Sequence, residues 1–151
     1  MPALPDANFW LALSWDGHRA HSVARAWWEA SKGEQIYFCR ITQMALLRHL
    51  TSGAVMGTAQ KSQDEAWRAF DVLRASPRVE WLAEPLGLQS DWRRLSSRAS
   101  PSHKRWTDDY LAASALVAGA RVVTFDADFK TYSGLQLELL TMPAAPVAPT
   151  S

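Results

Sequence analysis

The eight residues VVTFDADF, numbered 122–129, indicate the fold most clearly, because an apolar run ends there in two carboxylates. Residues Arg121–Phe125 have the composition of a buried strand, and Gly119 is well placed to end a helix just before them. Asp126 and Asp128 follow that strand. Acids at this position have two explanations: a solvated turn, or a site that requires negative charge held in place.

Strand-like and helical patterns alternate along the rest of the chain, which predicts an α/β domain with a mostly parallel sheet. The strand candidates, besides the one above, are Met1–Leu4, Ile36–Cys39, Val79–Leu82 and Leu135–Leu140. Helical periodicity covers Phe9–Leu13, His18–Ser31, Gln43–Leu50 and Leu88–Leu95, and Thr42 is the predicted cap of the third of these helices. Two further helices have alternative starts: one begins at Ser62 or Asp64 and ends before Pro77, and the other begins at Ser100–Pro101 or Thr107. Residues 51–58, TSGAVMGT, are predicted to form a loop.

Length and composition limit the class of protein. The chain has 151 residues, 48% of them hydrophobic, and a formal net charge of +1, which suits one globular domain and neither requires nor excludes a polyanionic partner. A single cysteine, Cys39, excludes an internal disulfide framework and a cysteine-rich zinc site. Without a signal-peptide pattern or an apolar run of ~20 residues, we expect a soluble, cytoplasmic protein with no membrane partner. The predicted domain covers residues 1–141, and the proline- and alanine-rich tail at 142–151 is predicted to be disordered.

Three carboxylates from distant parts of the chain are predicted to meet at one edge of the sheet. Asp6 follows the first strand, Asp126 follows the strand described above, and Asp108 lies on the apolar face of the helix between them. In parallel sheets, ligands bind in the crevice at the carboxyl ends of the strands. Carboxylates gathered there repel one another, and a divalent cation relieves the repulsion. Mg²⁺ and Mn²⁺ are hard ions that suit carboxylate oxygens.

Each acid also has an explanation that involves no metal ion. Asp6 is a candidate N-cap for the first helix, and Asp108 with Asp109 can stabilise a helix start through its dipole. Asp128 is a candidate cap for the short turn DFKTY. The combination of two strand-end acids and one helix-face acid, rather than any single residue, favours the metal site.

Five short motifs span residues 3–129: LPDANFWLAL, HRAHSVARAWWE, RITQMALLRHLT, TDDYLAASAL and VVTFDADF. In their order and spacing they resemble the PIN-domain ribonucleases, in particular the VapC-type toxins of bacterial toxin–antitoxin pairs. The resemblance implies a PIN-like three-layer α/β/α sandwich with a central, mostly parallel β-sheet. It also implies a metal-dependent endoribonuclease that hydrolyses RNA phosphodiester bonds.

The resemblance assigns roles to the acids. Asp6, Asp108 and Asp126 correspond to the catalytic aspartates that bind Mg²⁺, with Mn²⁺ as an alternative, and Asp128 corresponds to an accessory metal-binding acid. A magnesium ion bound there would position and activate a water molecule and offset the charge that builds up on the phosphate oxygens.

The chain departs from the family pattern at Ala45, where many PIN nucleases carry a glutamate. No acid lies between Gln35 and Gln63, which leaves the number and affinity of the metal ions open. Gln43, Asp109 and Asp128 are the polar residues that could compensate for the missing carboxylate.

Other polar residues of the motifs have less specific roles. Asn8 and Thr42 are further site candidates. Thr124 could orient Asp126 or reach a metal-bound water, although a threonine within a strand is more often structural. Arg48 could contact a phosphate or pair with an acid. The pair His18 and His21 has the spacing of zinc ligands but no evident third ligand, so a structural or interface role is favoured.

Basic residues cluster just before Asp108 and are flanked by Trp92 and Trp106. Cations and aromatic rings beside an acidic pocket suit RNA binding, and a solvated surface explains them equally well. The RNA-binding candidates are Arg93, Arg94, Lys104 and Arg105.

The resemblance also implies partners: an RNA substrate, with tRNA as one candidate, a cognate antitoxin that wraps the toxin and blocks its acidic pocket, and a second copy in a homodimer. The tryptophan-rich segment Ala26–Trp28 is a candidate interface by composition. Two rival functions remain. One is a PIN-like module that binds RNA or antitoxin with weak or no cleavage because Ala45 replaces the glutamate. The other is a phosphotransfer or phosphatase-type domain, which Asp6-Ala7-Asn8 fits poorly because a second acid is missing.

Overall fold

A five-stranded parallel sheet forms the centre of the molecule in the computed structural model, which describes residues 1–144. The strands are β1 (Ala3–Pro5), β2 (Ile36–Cys39), β3 (Val79–Leu82), β4 (Arg121–Thr124) and β5 (Leu137–Leu139). Their order is β3-β2-β1-β4-β5, and all four pairings are parallel. The predicted α/β class is confirmed. The tail prediction for 145–151 lies outside the described residues.

In the described part of the chain, residues 1–144, seven α-helices connect and cover the strands. They are α1 (Ala7–Ser14), α2 (His21–Ala30), α3 (Arg40–Leu50), α4 (Gly53–Met56), α5 (Gln63–Arg74), α6 (Leu88–Ser96) and α7 (Trp106–Ala118). Two short 3₁₀ helices occupy Gly57–Ala59 and Ala127–Thr131. Within residues 1–144, no helix is long and apolar enough to cross a bilayer.

Alternate strand residues pack into two separate cores, one on each face of the sheet, as the two-residue period of a strand requires. On one face, Phe38 of β2 packs against α1, where its ring stacks on Trp10 with centroids 4.2 Å apart. On the other face, Val122 of β4 packs against Leu111 and Ala115 of α7. Helices therefore cover both faces, which gives the predicted three-layer sandwich.

Several predicted helix boundaries are wrong, because side-chain caps compete with apolar periodicity. Helix α3 begins at Arg40 rather than Gln43, with Cys39 as its N-cap. Thr42 lies one turn in, where its hydroxyl accepts a hydrogen bond from the Cys39 N–H at 3.2 Å. The loop predicted at 51–58 contains α4, whose N-cap Ser52 accepts a hydrogen bond from the Val55 N–H.

The start of α7 and the ends of two strands also differ from the prediction. Neither Ser100–Pro101 nor Thr107 caps α7, which begins at Trp106 after Arg105 without a side-chain cap. Strand β4 ends at Thr124, so Phe125 already belongs to the turn, and β5 is shorter than the predicted Leu135–Leu140. Ser62, rather than Asp64, caps α5 through a capping box with Glu65.

Candidate active site

A cavity of about 130 Å³ opens at the carboxyl edge of the sheet, between the first turns of α1 and α7 and one face of α3. Its polar wall contains Asp6 and Asp108, two of the three predicted catalytic aspartates, but not Asp126. The lining residues are Asp6, Ala7, Asn8, Ile41, Thr42, Ala45, His49, Thr107, Asp108 and Leu111. We call this cavity the acid pocket.

Asp6 is held in the acid pocket by two hydrogen bonds. One carboxylate oxygen, Oδ1, accepts from the Phe9 N–H at 2.9 Å and so caps α1. The other, Oδ2, accepts from the Thr124 hydroxyl at 2.5 Å. The side chain is only 7% exposed. The two roles of Asp6, as helix cap and as pocket residue, are therefore compatible, because capping α1 fixes its carboxylate at the end of β1.

Thr124 joins the ends of β1 and β4. Pro5 lies opposite Val123 in the parallel register, which places Asp6 beside Thr124. While the fully buried Thr124 hydroxyl donates to Asp6, it accepts from the backbone N–H of Asp126 at 2.9 Å. Thr124, the last residue of β4, thus positions both the Asp6 side chain and the Asp126 backbone.

Asp126 and Asp128 form the turn after β4. Asp126, not Asp128 as one reading of the sequence suggested, caps the 3₁₀ helix, since its Oδ1 accepts from the Asp128 N–H at 2.9 Å. Asp126 is half-buried and Asp128 is exposed. The negative charges of both act on Asp108, and that of Asp126 also acts on Asp6.

Burial and mutual repulsion weaken the acidity of the two pocket carboxyls. The pKa of Asp6 is raised to about 6, mainly by burial and further by the charges of Asp108 and Asp126, although hydrogen bonds from Thr124 and Phe9 oppose the rise. The pKa of Asp108 is also raised to about 6, mainly by burial and then by the charge of Asp126. A cation in the pocket would relieve both effects.

The donor set suits a magnesium ion that retains part of its water shell. Within residues 1–144, no three histidine, cysteine, aspartate or glutamate side chains are placed so that they could together hold an ion. Mg²⁺ usually needs only one or two carboxylates, with water or substrate phosphate completing its octahedron. Asp6 and Asp108, which share the acid pocket, meet that need, and Asp126 is near enough for its charge to act on both.

Comparison with known proteins identifies the family. A family model described as the PIN domain matches residues 3–135. The chain belongs to the PIN-domain family. Ribonuclease VapC41 of Mycobacterium tuberculosis is 42% identical over 142 residues, which cover 91% of this chain and 97% of the relative. Ribonuclease VapC38 of the same organism is 32% identical over 93% of this chain and 99% of the relative. The predicted VapC-type resemblance is confirmed.

Solved structures agree with this PIN-domain assignment. The crystal structure of VapBC2 from Rickettsia felis bound to a promoter DNA fragment matches with a TM-score of 0.68 at 15% identity, covering 93% of this chain and 99% of that one. VapC20 of Mycobacterium tuberculosis, described as a Sarcin-Ricin loop cleaving toxin, matches with a TM-score of 0.64 at 20% identity, covering 88% and 95%. At such identities these matches support the fold, and they confirm the PIN-like sandwich.

Asp109, proposed as a substitute for the missing glutamate, does not line the acid pocket of this PIN domain. It is fully buried, and its carboxylate forms a two-bond ion pair with Arg98 at 2.8 and 2.9 Å. The Tyr132 hydroxyl donates to it at 2.5 Å. Burial acts to raise the pKa of Asp109, but the hydrogen bonds from Arg98 and Tyr132 outweigh it and leave the pKa lowered. Asp109 therefore joins α6 and α7 to the turn after β4.

Two other candidates on α3 also lie outside the acid pocket. Gln43 is buried, and its side-chain oxygen accepts a hydrogen bond from Arg40. Arg48 is exposed and lines a separate groove with Trp67. The prediction that Gln43 could replace the glutamate is not supported by this geometry, and Arg48 does not face the acids.

His49 lines the acid pocket but was missed by the sequence analysis. Thr42, Ala45 and His49 are three and four residues apart, so they share one face of α3. This helical spacing is the signal that could have identified the histidine. Burial, and then the positive charge of Arg48, lower the pKa of His49, so its imidazole is neutral at neutral pH.

The four basic candidates fall into two groups. Arg93 and Lys104 are exposed, as is Arg94, which pairs with Asp91 at 2.9 Å. Arg105 is half-buried and donates to the Asp128 carbonyl and the Thr131 hydroxyl. Its charge counteracts the rise in the pKa of Asp108, so Arg105 is the basic candidate whose charge reaches the acid pocket.

The two histidines of the second motif have local roles. The His21 ring nitrogen Nδ1 lies 2.7 Å from the Ala12 carbonyl oxygen, and His18 Nδ1 accepts from the Ala20 N–H at 3.0 Å. The first contact joins α2 to α1, and the second lies in the turn that leads into α2. They support the structural role favoured over a zinc pair.

Proposed function

We propose that this PIN-domain protein is a Mg²⁺-dependent endoribonuclease and the toxin of a toxin–antitoxin pair. The observation that carries the proposal is the acid pocket, where Asp6 and Asp108 share one cavity beside the charge of Asp126. Relatives named as ribonucleases cover nearly the whole chain at 42% and 32% identity, which supports the same activity here.

In the proposed mechanism, this chain's residues hold and orient the reacting groups. Asp6 and Asp108, which both line the pocket, would hold the cation, and Asp126, with the exposed Asp128 next to it, would add charge from the β4 turn. Magnesium, when bound, supplies a polarised water and stabilises charge on the phosphate oxygens. Mn²⁺ fits the same oxygen ligands. Thr124 keeps the Asp6 carboxylate fixed through its hydroxyl hydrogen bond.

Two neutral side chains complete the proposed site. Asn8 is exposed at the pocket wall and offers amide donors to a phosphate oxygen. His49, neutral at neutral pH, offers one ring nitrogen to accept a proton from water and one to donate. Neither residue replaces the charge of the missing glutamate.

The proposed partners follow from the relatives. Solved neighbours include the VapBC complexes of Rickettsia felis and nontypeable Haemophilus influenzae, which match at 15% and 17% identity. We propose that a cognate antitoxin covers the acid pocket here and that the toxin is a homodimer. The segment Ala26–Trp28 remains a candidate interface, although Trp27 itself is buried and donates to Glu138.

A second candidate function is a module that binds RNA or antitoxin without efficient cleavage. The observation that favours it is Ala45, which lines the acid pocket where many PIN nucleases carry a glutamate. No acid on α3 replaces it, since that helix contains none. This function predicts RNA binding without efficient cleavage in any metal ion.

The two functions differ in one assay. Purified protein is incubated with total tRNA and with short structured RNAs, in Mg²⁺, in Mn²⁺ and in chelator. We expect cleavage in either metal, loss of cleavage in chelator and loss in Asp6→Asn. Asp71→Asn, which changes an exposed acid on α5, is the control and should cleave normally. RNA binding without cleavage across these RNAs and metals would contradict the nuclease and favour the binding module.

A further inference from the structure

A cleft of about 540 Å³ lies between α6 and the start of α7, on the opposite side of the first α7 turn from the acid pocket. Its walls are Gln89, Trp92, Arg93, Ser96, Ser97 and Trp106. We call it the aromatic cleft. Resting on the proposed function, we propose that the aromatic cleft binds an unpaired nucleobase of the RNA, next to the phosphate held in the acid pocket.

One wall of the aromatic cleft is a rigid indole. The Trp92 ring packs edge-on against Tyr110, with centroids 5.5 Å apart and planes at 88°. Its Nε1–H donates to the Trp106 carbonyl at 3.2 Å, and Tyr110 is itself fixed by a hydrogen bond to Glu84. A ring held by these contacts loses little entropy when a base packs on it, which is what preorganised binding requires.

The other wall is an exposed indole. Trp106 is 55% exposed and meets Trp92 edge-to-face, with centroids 6.3 Å apart and planes at 80°. Two perpendicular rings present one face and one edge to the same cleft. Nucleobases stack on exposed aromatic faces with little dependence on sequence, whereas a buried indole such as Trp10 has no free face.

The charge around the aromatic cleft suits a polyanion. Arg94 is neutralised by Asp91, and Arg98 by Asp109. Within residues 1–144, Arg93 and Lys104 form no ion pair, and both are exposed. Arg93 lines the cleft and Lys104 lies two residues before Trp106, and such cations near two indoles match a phosphate backbone and its base better than an apolar peptide face.

Chain connectivity places the aromatic cleft beside the acid pocket. Trp106 lines the cleft, and the next two residues, Thr107 and Asp108, line the pocket. One helical turn rises about 5.4 Å, so both sites share the first turn of α7. An RNA strand that crosses this turn can place one phosphate at the acids and the adjoining base on the exposed ring of Trp106.

Two other grooves in the described residues 1–144 lack this combination. The groove at the ends of β2 and β3 contains Arg40 over Trp81 and Tyr110 bonded to Glu84, so its polar groups already have partners. The groove lined by Trp67 and Arg48 has one indole and lies on the other side of α3. Trp67 is 48% exposed, which makes it a matched control for Trp106.

The test measures RNA binding in chelator, so that binding is separated from cleavage. A fluorescein-labelled single-stranded RNA is titrated with wild-type protein, Trp106→Ala, Trp106→Phe and Trp67→Ala. We expect Trp106→Ala to weaken binding about tenfold, Trp106→Phe to recover most of the loss, and Trp67→Ala to bind as the wild type does. Replacing one nucleotide by an abasic unit should weaken the wild type to the same extent, yet leave the affinity of Trp106→Ala unchanged.

Cleavage in Mg²⁺ gives a second readout. Removing a base contact that is made equally in the ground and transition states raises KM and leaves kcat unchanged, so Trp106→Ala should raise KM about tenfold. Unchanged RNA affinity in Trp106→Ala would overturn the cleft proposal, as would equal losses of affinity in Trp106→Ala and Trp67→Ala. In either case, RNA cleavage by the wild-type protein would still support the nuclease function. Loss of antitoxin binding alone in Trp106→Ala would identify a protein contact and overturn it too. Wild-type protein that neither binds nor cleaves RNA would reject both proposals.

Discussion

At the scale of single residues, the acid pocket places burial and charge in conflict. Asp6 is nearly inaccessible and yet close to two other carboxylates. Its folded-state pKa of about 6 exceeds the value of about 3.9 for an unfolded aspartate. The folded protein therefore binds that proton more tightly than the unfolded chain, so ionisation opposes folding. The free energy of unfolding contributed by this group falls as pH rises from about 4 to about 6.

Asp6→Asn should therefore stabilise the metal-free protein at high pH. At pH 8 in chelator we expect its melting temperature to exceed that of the wild type by at least about 2 °C, with a smaller gain or a loss at pH 4. Differential scanning fluorimetry across that range measures the difference. Asp71→Asn serves as the exposed control. A variant equally destabilised at both pH values would contradict the raised pKa.

Thr124 should affect catalysis by positioning the acids, because its hydroxyl donates to Asp6 and accepts from the Asp126 N–H. Thr124→Val keeps the shape of the side chain but removes both bonds, and we expect it to lower kcat about tenfold or more. Thr124→Ser keeps the hydroxyl and should retain most activity. Initial rates in saturating Mg²⁺, below the unfolding temperature, give the comparison. Equal rates for Ser and Val would assign Thr124 to packing alone.

At the scale of elements, the ion pair of the partly exposed Arg98 and the buried Asp109 joins α6 to α7, and Tyr132 extends it to the turn after β4. Removing one partner of a buried pair leaves an uncompensated charge and costs about 3–5 kcal/mol. Asp109 has no exposed surface, so we expect the loss of its partner to lower the free energy of unfolding by an amount in this range.

Arg98→Ala should therefore lower the free energy of unfolding by about 3 kcal/mol in urea denaturation, since it leaves the Asp109 carboxylate buried without its cation. Arg94→Ala is the matched control, because the Arg94–Asp91 pair is exposed and its loss should cost less than about 1 kcal/mol. Similar losses for the two variants would show that the Arg98 pair is not buried in solution.

The sequence predicted helices and strands correctly where a single local pattern determined them. The strands Ile36–Cys39 and Val79–Leu82 and the stop at Gly119 agree with the structure. The prediction was wrong where an N-cap or a tertiary contact determines where a helix begins. Cys39 begins α3 earlier than predicted, and Ser52 caps α4 within TSGAVMGT. The aspartate pair at 108 and 109 illustrates the same limit. Adjacent residues point to different sides of α7, and only the fold determines which side holds Arg98.

At the scale of the whole molecule, parallel topology explains why the site could be anticipated. Strands β1 and β4 are neighbours and parallel, so Asp6 and the β4 turn end at the same edge. The aromatic cleft needed the folded chain, because its walls come from α6 and from the start of α7. We propose that Asp6 and Asp108 hold one cation, that the charge of Asp126 strengthens its binding, and that α3 contributes no acid.

Manganese binding tests this claim most directly. Isothermal titration of the metal-free protein at pH 8 with Mn²⁺ is compared for wild type, Asp6→Asn, Asp108→Asn, Asp126→Asn and Asp71→Asn. The account predicts specific binding in the wild type and in Asp71→Asn, and at least about tenfold weaker binding in each of the other three variants. Unchanged Mn²⁺ affinity in Asp6→Asn and Asp108→Asn would contradict it.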